Sequence, residues 1–306
     1  MNLIDDQSVK LLSLGESNVE DMYKIIEQAG RTCYKSLDKI TDGSAEKFVQ
    51  RMIKSEHTAM LEHGTIYLKI PKFYDNRPES APNVLNYLHN KYSVVNFDFE
   101  DKYVYVTTNY RVIVENGWED DLIYMSEYID GKHEPRMTVV LTTNLQVSHE
   151  FVRHRVFSFA QESSRYCNYS KDKFDNELNF IIPRFGKYED ERLENQVNKL
   201  THVSSDVAIV WSQIMQAIEE GYMKLAALGC NAQECAQVLP KSTKTELVMS
   251  GTWHDWQHLF DLRKYGTTGK PHPQAEELAD MIWDGFSEAG FAIQCSKEGK
   301  NQKKTK

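Results

Sequence analysis

Arg153-His154-Arg155-Val156-Phe157-Ser158-Phe159-Ala160-Gln161-Glu162-Ser163-Ser164-Arg165-Tyr166 puts three arginines, one histidine and three serines into fourteen residues. Arginine is a permanent planar cation with five donors, suited to phosphate and carboxylate oxygens. Serine hydroxyls add short-range donors to the same oxygens. Surface charge normally mixes signs, whereas this segment sets one acid, Glu162, against three arginines. It reads as a site for an anionic, oxygen-rich ligand rather than as a solvated helix end.

The surrounding chain makes that cationic site a local feature. At 306 residues it is long enough for a large core. Its net charge of −9 disfavours a general nucleic-acid binder, which usually carries a basic surplus. Five cysteines, none spaced C-x-x-C, argue against a disulfide scaffold or zinc finger and suit a reducing cytosol. No signal peptide is read at Met1–Asp6, and no apolar run reaches the ~20 residues of a membrane helix. The expected protein is cytoplasmic, bound neither to membrane nor to nucleic acid.

Outward from the quoted segment, helical spacing predicts a helix over Val19, Met22, Ile25, Ile26 and Ala29, capped by Ser17 or Asn18 and stopped by Gly30. A second follows Ser44, with Phe48, Val49, Met52 and Ile53. Thr65 to Ile70 reads as a strand. Residues 71–100 are irregular, with one short helix near Val84–Tyr92. Tyr103 to Val114 reads as a strand or bent pair, and Met137 to Thr143 as another strand. A helix from Ser148 is expected to run into Arg153-His154-Arg155, where adjacent side chains would point about 100° apart and reach different groups. Val207, Val210, Trp211, Ile214, Ile218 and Leu225 predict a long amphipathic helix ending near Gly229. A shorter helix over Glu234–Leu239, a strand at Thr245–Ser250, a helix at Asp255–Arg263 with Trp256, Leu259 and Phe260 inward, and a last helix from Pro273 with Leu278, Met281, Ile282 and Phe286 complete the pattern. No internal repeat is read. The expectation is one α/β (α+β) domain over 1–296, with an insertion at about 71–136 and a disordered basic tail at 297–306.

Several motifs are absent. There is no G-x-G-x-x-G and no H-E-x-x-H, and Gly266-Thr267-Thr268-Gly269-Lys270 has the wrong spacing for a phosphate loop. His57 and Glu62-His63 lack the partners that would make a metal site, so none is expected.

Arg153-His154-Arg155, seven residues, then Ser163 resembles the R-H-R-x7-S signature of the flavin-dependent thymidylate synthases. Gly30 through Ser36, His57 through Gly64, Ser158 through Tyr169, Leu239-Pro240, Trp253 through Arg263, and His272, Gln274 and Glu276 are similar to further segments of that family. The resemblance implies a single large domain with a mixed or antiparallel sheet flanked by long helices. It implies methylation of deoxyuridine monophosphate (dUMP) to thymidine monophosphate, with methylenetetrahydrofolate as methylene donor and NADPH reducing through FAD. It also implies a homotetramer with active sites built from more than one subunit, and no enzyme nucleophile on the uracil ring.

Carried over by position, Glu150, Arg153, Gln161, Glu162, Ser163, Ser164 and Arg165 would hold the nucleotide. His57, Glu62, Arg153, His154, Arg155, Gln161, Thr252, His254 and His258 would contact FAD. Arg263 would be catalytic, polarising the uracil while also binding it; its bland reading is a helix C-terminal cation. The chain departs from the family at Ala236 and His254, where arginine is common, at Thr252, where asparagine is common, and at Ala59, a common threonine. Ala236 and His254 motivate an alternative, a non-catalytic nucleotide-binding protein that keeps the phosphate site. Cys167, close to arginines, raises a covalent mechanism that ranks low.

Overall fold

The computed structural model describes residues 1–15, 18–72, 82–98, 100–184 and 205–291. In chain order the elements are β1 (Asn2–Ile4), β2 (Ser8–Ser13), α1 (Val19–Cys33), α2 (Ser44–Lys54), β3 (Thr65–Pro71), α3 (Val84–His89), β4 (Val94–Phe97), β5 (Tyr103–Asn109) and α4 (Tyr110–Asn116). They continue with β6 (Arg136–Asn144), α5 (Leu145–Phe151), β7 (Ser158–Gln161), β8 (Asn179–Ile181), α6 (Ser205–Ala227), α7 (Ala232–Cys235), β9 (Lys244–Thr252), α8 (Trp253–Arg263) and α9 (Pro273–Glu288). The class is mixed α/β, as expected from the sequence, with two antiparallel sheets and a short parallel pair of β1 with β8.

The central sheet runs β2-β6-β9-β7, antiparallel throughout. Its middle strands pair along their full length, from Arg136 opposite Thr252 to Asn144 opposite Lys244. Both are covered on two faces, so β6 reads as a nearly continuous buried run rather than an alternation. On one face Met137, Val139, Leu141, Leu247 and Met249 pack with Phe151, Phe157, Trp256, Leu259, Phe260, Leu278, Ile282 and Phe286. On the other, Ala160 and Val248 meet Ala29 of α1. Thr252 starts α8 with a reciprocal capping box to Asp255, and Pro273 sits in the first turn of α9, where its missing N–H goes unneeded.

Strands β3, β5 and β4 form a second sheet in that order, whose apolar face packs with α1, α2 and α4. Strands β4 and β5 fall in the stretch expected as an insertion, and β5 pairs along its length with β3, which precedes that stretch.

Several expectations are corrected. Helix α1 does not stop at Gly30 but continues to Cys33. Gly30 is there because a β-carbon would overlap the Phe48 ring of α2. The cap is Asn18, whose side chain accepts from the Asp21 amide; Ser17 lies outside the described residues. The strand expected over Tyr103–Val114 ends at Asn109, whose side chain accepts from the Val112 amide and starts α4. The helix expected from Ser148 starts earlier, at Leu145, capped by Asn144 through the Val147 amide. It ends at Phe151, so Arg153-His154-Arg155 lie in the turn beyond it.

The stretch Glu234–Leu239 splits into the short α7 and a 3-10 turn over Ala236–Val238. Val210 and Ile214 of α6, and Met281 of α9, face outward. A short repeat does exist: Thr107-Thr108-Asn109-Tyr110-Arg111-Val112 and Thr142-Thr143-Asn144-Leu145-Gln146-Val147 each turn a strand into an asparagine-capped helix. The lysine-rich tail and Cys295 lie outside the described residues.

Candidate active site

Strand β7 divides the signature between two faces of the sheet. Successive strand residues point to opposite sides. Phe159 packs with the α8–α9 core and Ala160 with α1. Gln161 follows Phe159: its amide donates to Ser148 Oγ of α5 at 3.0 Å and to Thr245 Oγ1 at 3.3 Å. Glu162 follows Ala160, to the α1 side.

On the α8 side, three of the expected residues meet directly. The guanidinium of Arg263, at the last turn of α8, donates from Nε to His154 Nε2 at 3.2 Å. It also donates from Nη1 to Glu150 Oε2 at 2.8 Å and from Nη2 to the Glu150 carbonyl at 3.1 Å. Three of the five donors of an arginine are thus engaged here, and two remain. Because Arg263 can only donate, His154 must accept at Nε2, which places its own proton on Nδ1. Burial, Arg263 and His258 push the His154 pKa down to about 4, so the ring is neutral at pH 7. The His258 ring stands 6.1 Å away, edge-on. Arg153 and Arg155, on either side of His154, are exposed and have no ion-pair partner among the described residues. Arg165 is likewise exposed, with its guanidinium over the Tyr166 ring. Ser163 and Ser164 are half-buried, and the Ser163 amide donates to the Cys33 carbonyl at 2.9 Å.

The Thr252 end of β9 carries a second group. Arg136 is buried and donates to Thr65 Oγ1 at 3.0 Å, to the Glu62 carbonyl at 2.8 Å and to Ser158 Oγ at 3.2 Å. Glu62 accepts from Arg111 of α4 at 2.6 Å. The Thr252 hydroxyl donates to Asp255 at 2.7 Å and accepts from the Asp255 amide, so the cap uses both its roles. His57 and His254 are exposed, and the His254 backbone amide donates to Glu134. His63 is fully buried, with Nδ1 2.8 Å from Ser250 Oγ, and Nε2 has no partner among the described residues. Burial and Arg136 push its pKa down to about 3.

On the α1 side, Glu162 is buried and accepts from the Tyr169 hydroxyl at 3.0 Å. Lys244 and Lys35 each lie 3.4 Å from its carboxylate. Glu246 accepts from Lys244 at 2.6 Å and also from Lys35. Burial opposes charge on Lys244, but Glu162 and Glu246 outweigh it and hold its pKa above the usual lysine value. Burial likewise opposes charge on Glu246, yet Lys244 and Lys35 hold its pKa below the usual carboxylate value.

Sequence reading passed over Lys35, Lys244 and Glu246 as site residues, and Arg111 and Arg136 at the other end. The i, i+2 spacing of Lys244 and Glu246 on a strand was a usable signal, since it puts both on one face. Arg111 and Arg136 carry no such local mark; only the tertiary pairing brings them to Glu62. No group of His, Cys, Asp and Glu suited to a metal ion occurs among the described residues. No helix among them is long and apolar enough to cross a membrane.

Comparison with known proteins gives one consistent likeness. Residues 133–289 match the family model Thy1, described as thymidylate synthase complementing protein. A probable flavin-dependent thymidylate synthase of Paramecium bursaria Chlorella virus 1 is 31% identical over 141 residues, which is 44% of this chain and 60% of that protein. The flavin-dependent thymidylate synthase of Synechocystis sp. is 30% identical over 149 residues, 48% of this chain and 65% of that one. The matches therefore span less than two thirds of these relatives' lengths. A crystal structure of a UMP/dUMP methylase from Streptomyces cacaoi, bound with 5-Br dUMP, aligns at a TM-score of 0.44 and 16% identity, covering 94% of this chain and 93% of that one.

Proposed function

The chain belongs to the family of thymidylate synthase complementing proteins, and from that premise we propose that it is a flavin-dependent thymidylate synthase. In this reading it converts dUMP to thymidine monophosphate with methylenetetrahydrofolate as one-carbon donor. The observation that carries the reading is the arrangement around His154. A fixed arginine, Arg263, is locked by Glu150 and a neutral imidazole, and two exposed arginines without carboxylate partners among the described residues flank it. In a chain of net charge −9, such uncommitted cations mark a place for anions.

The residues fit a bound FAD by charge. Arg153 and Arg155 have guanidinium groups available for its phosphates, and His57, His254 and His258 are exposed at positions assigned to it. Thr252 and Glu62 fit less directly, since Asp255 and Arg111 already occupy them. FAD, when bound, supplies the redox step by relaying hydride from NADPH. The chain's own residues bind and orient. Ser163, Ser164 and Arg165 hold the nucleotide phosphate, while Gln161 and Glu150 line its approach. Arg263 directs its two remaining donors at the uracil oxygens, stabilising negative charge as the ring ionises at N3. The neutral His154 holds that guanidinium in place without adding a competing cation.

The assigned flavin residues divide between places on the sheet. Thr252 is at one end of β9, and Gln161 pairs with Leu247, roughly 17 Å along the strand at ~3.3 Å per residue. An extended FAD, with its ribityl chain, diphosphate and adenosine, is long enough to follow that span. From the family resemblance the reading also includes a site completed by further copies in a homotetramer, working in the cytosol where the thiols stay reduced.

The test is the absorption spectrum of the purified full chain, followed by anaerobic NADPH titration with and without dUMP. Flavin bands that bleach on titration, with thymidine monophosphate formed once methylenetetrahydrofolate is added, are the expected result. A colourless protein that takes up no FAD yet binds dUMP would establish the alternative, a nucleotide-binding protein without turnover.

A further inference from the structure

Glu162 adjoins the two serines and the arginine assigned to the nucleotide, and its buried carboxylate turns to the α1 side of the sheet. There it meets the loop after α1, through Lys35, and the start of β9, through Lys244 and Glu246. The backbone follows the same junction. The Glu162 amide donates to the Glu246 carbonyl at 2.8 Å, and the Ser163 amide to the Cys33 carbonyl at 2.9 Å. Lys35 itself holds a left-handed φ of +47°, a conformation that non-glycine residues adopt only where the surroundings impose it.

The charge count decides what this junction does. Two ammonium groups face two carboxylates, so the cluster is balanced. The cavity of about 210 Å³ beside it is lined by Lys35, Glu162, Tyr169 and Lys244, and Asp175 adds a further acid. No cationic surplus remains for a second anion. What does need holding is β7, a strand of four residues that among the described residues is an edge strand paired only with β9. Among the described residues its exit has no neighbouring strand on the far side. A buried carboxylate is tolerated only where its partners are, so Glu162 fixes that exit in one place.

We infer that Glu162 is a positioning residue: anchored by Lys244, Lys35 and Tyr169, it sets the direction in which Ser163, Ser164 and Arg165 face the nucleotide. The inference rests on the nucleotide assignment made under the proposed function.

The test uses the full-length, flavin-loaded protein and Glu162→Gln, which keeps the shape and removes the charge. The dUMP KM is expected to rise about tenfold, the effect of losing a charge-assisted hydrogen bond, with kcat within about threefold and flavin content unchanged. Hydrogen exchange at the Ser163 and Cys167 amides is expected to quicken. Lys35→Met, which leaves Lys244 on Glu162, is expected to move the same readouts less, and it decides the matter if Glu162→Gln does not fold. An unchanged dUMP KM alongside a lowered melting temperature and lost flavin would overturn the role, reducing Glu162 to general stability. If the wild type neither binds nor turns over dUMP, the nucleotide reading fails on its own. Exchange at 163–167 then decides the anchoring: faster in Glu162→Gln supports it, unchanged overturns it.

Discussion

Arg263 and His154 are joined by a hydrogen bond of 3.2 Å in which the guanidinium donates and the imidazole accepts. The contact ties the last turn of α8 to the turn after α5, so two segments far apart in sequence hold one rigid cation. Glu150 completes the clamp from the end of α5. The arginine is oriented by the chain's own groups, which is the condition for electrostatic stabilisation without reorganisation.

Arg263→Ala is therefore expected to lower turnover of dUMP by about 10²- to 10³-fold while flavin content is retained. Arg263→Lys is expected to rescue little, because a lysine cannot reproduce the forked contact with Glu150 and His154. Steady-state rates and flavin absorbance of both variants check this.

The same contact makes stability depend on pH. His154 is held at about 4 in the folded chain, below the ordinary 6.5. As pH falls, the unfolded chain takes up this proton first, so the contribution is complete above 6.5 and is lost progressively down to about 4. His63, at about 3, adds to the loss and extends the window lower. For His154 alone the change is on the order of 3 kcal/mol. Urea midpoints measured from pH 7 to 4 are expected to fall, and His154→Asn is expected to flatten the curve.

Cysteine replacement is expected to be nearly silent in catalysis. Burial pushes the Cys33 thiol up to about 11, so it stays protonated, and Cys167 is buried. Neither is poised as a nucleophile. Rates of the single Cys→Ala variants are expected within about threefold of wild type. Loss of activity in Cys167→Ala alone would point to covalent chemistry on the uracil.

Gly30→Ala is expected to destabilise the protein by about 1–3 kcal/mol, although alanine is the better helix former. The added methyl has nowhere to go but the Phe48 ring. Phe48→Leu in the same background is expected to recover part of the loss, and paired denaturation curves measure it.

Much of this was legible from local pattern. Amphipathic spacing placed α2, α8 and α9, and a β-branched run placed β3, because their burial follows from period alone. Gly30 misled because a glycine fixed by close packing looks in sequence like one that ends a helix. Tyr110–Val114 misled because strand-forming residues were overruled by the cap at Asn109. Within the site, the family resemblance pointed to Glu150, His154 and Arg263, which meet. It gave no hint that Glu162 would turn to the α1 side and meet two lysines, because the facing of β7 depends on which core each neighbour fills.

The hexapeptide at 107–112 recurs at 142–147 with the same bend from strand to helix. In the first copy the helix runs out at Gly117 and its Glu115 pairs locally with Arg111. In the second, the equivalent Glu150 grips an arginine more than a hundred positions away. The scaffold that delivers this acid is thus an ordinary building habit of the chain, and the chemistry was hung on it by changing what stands opposite.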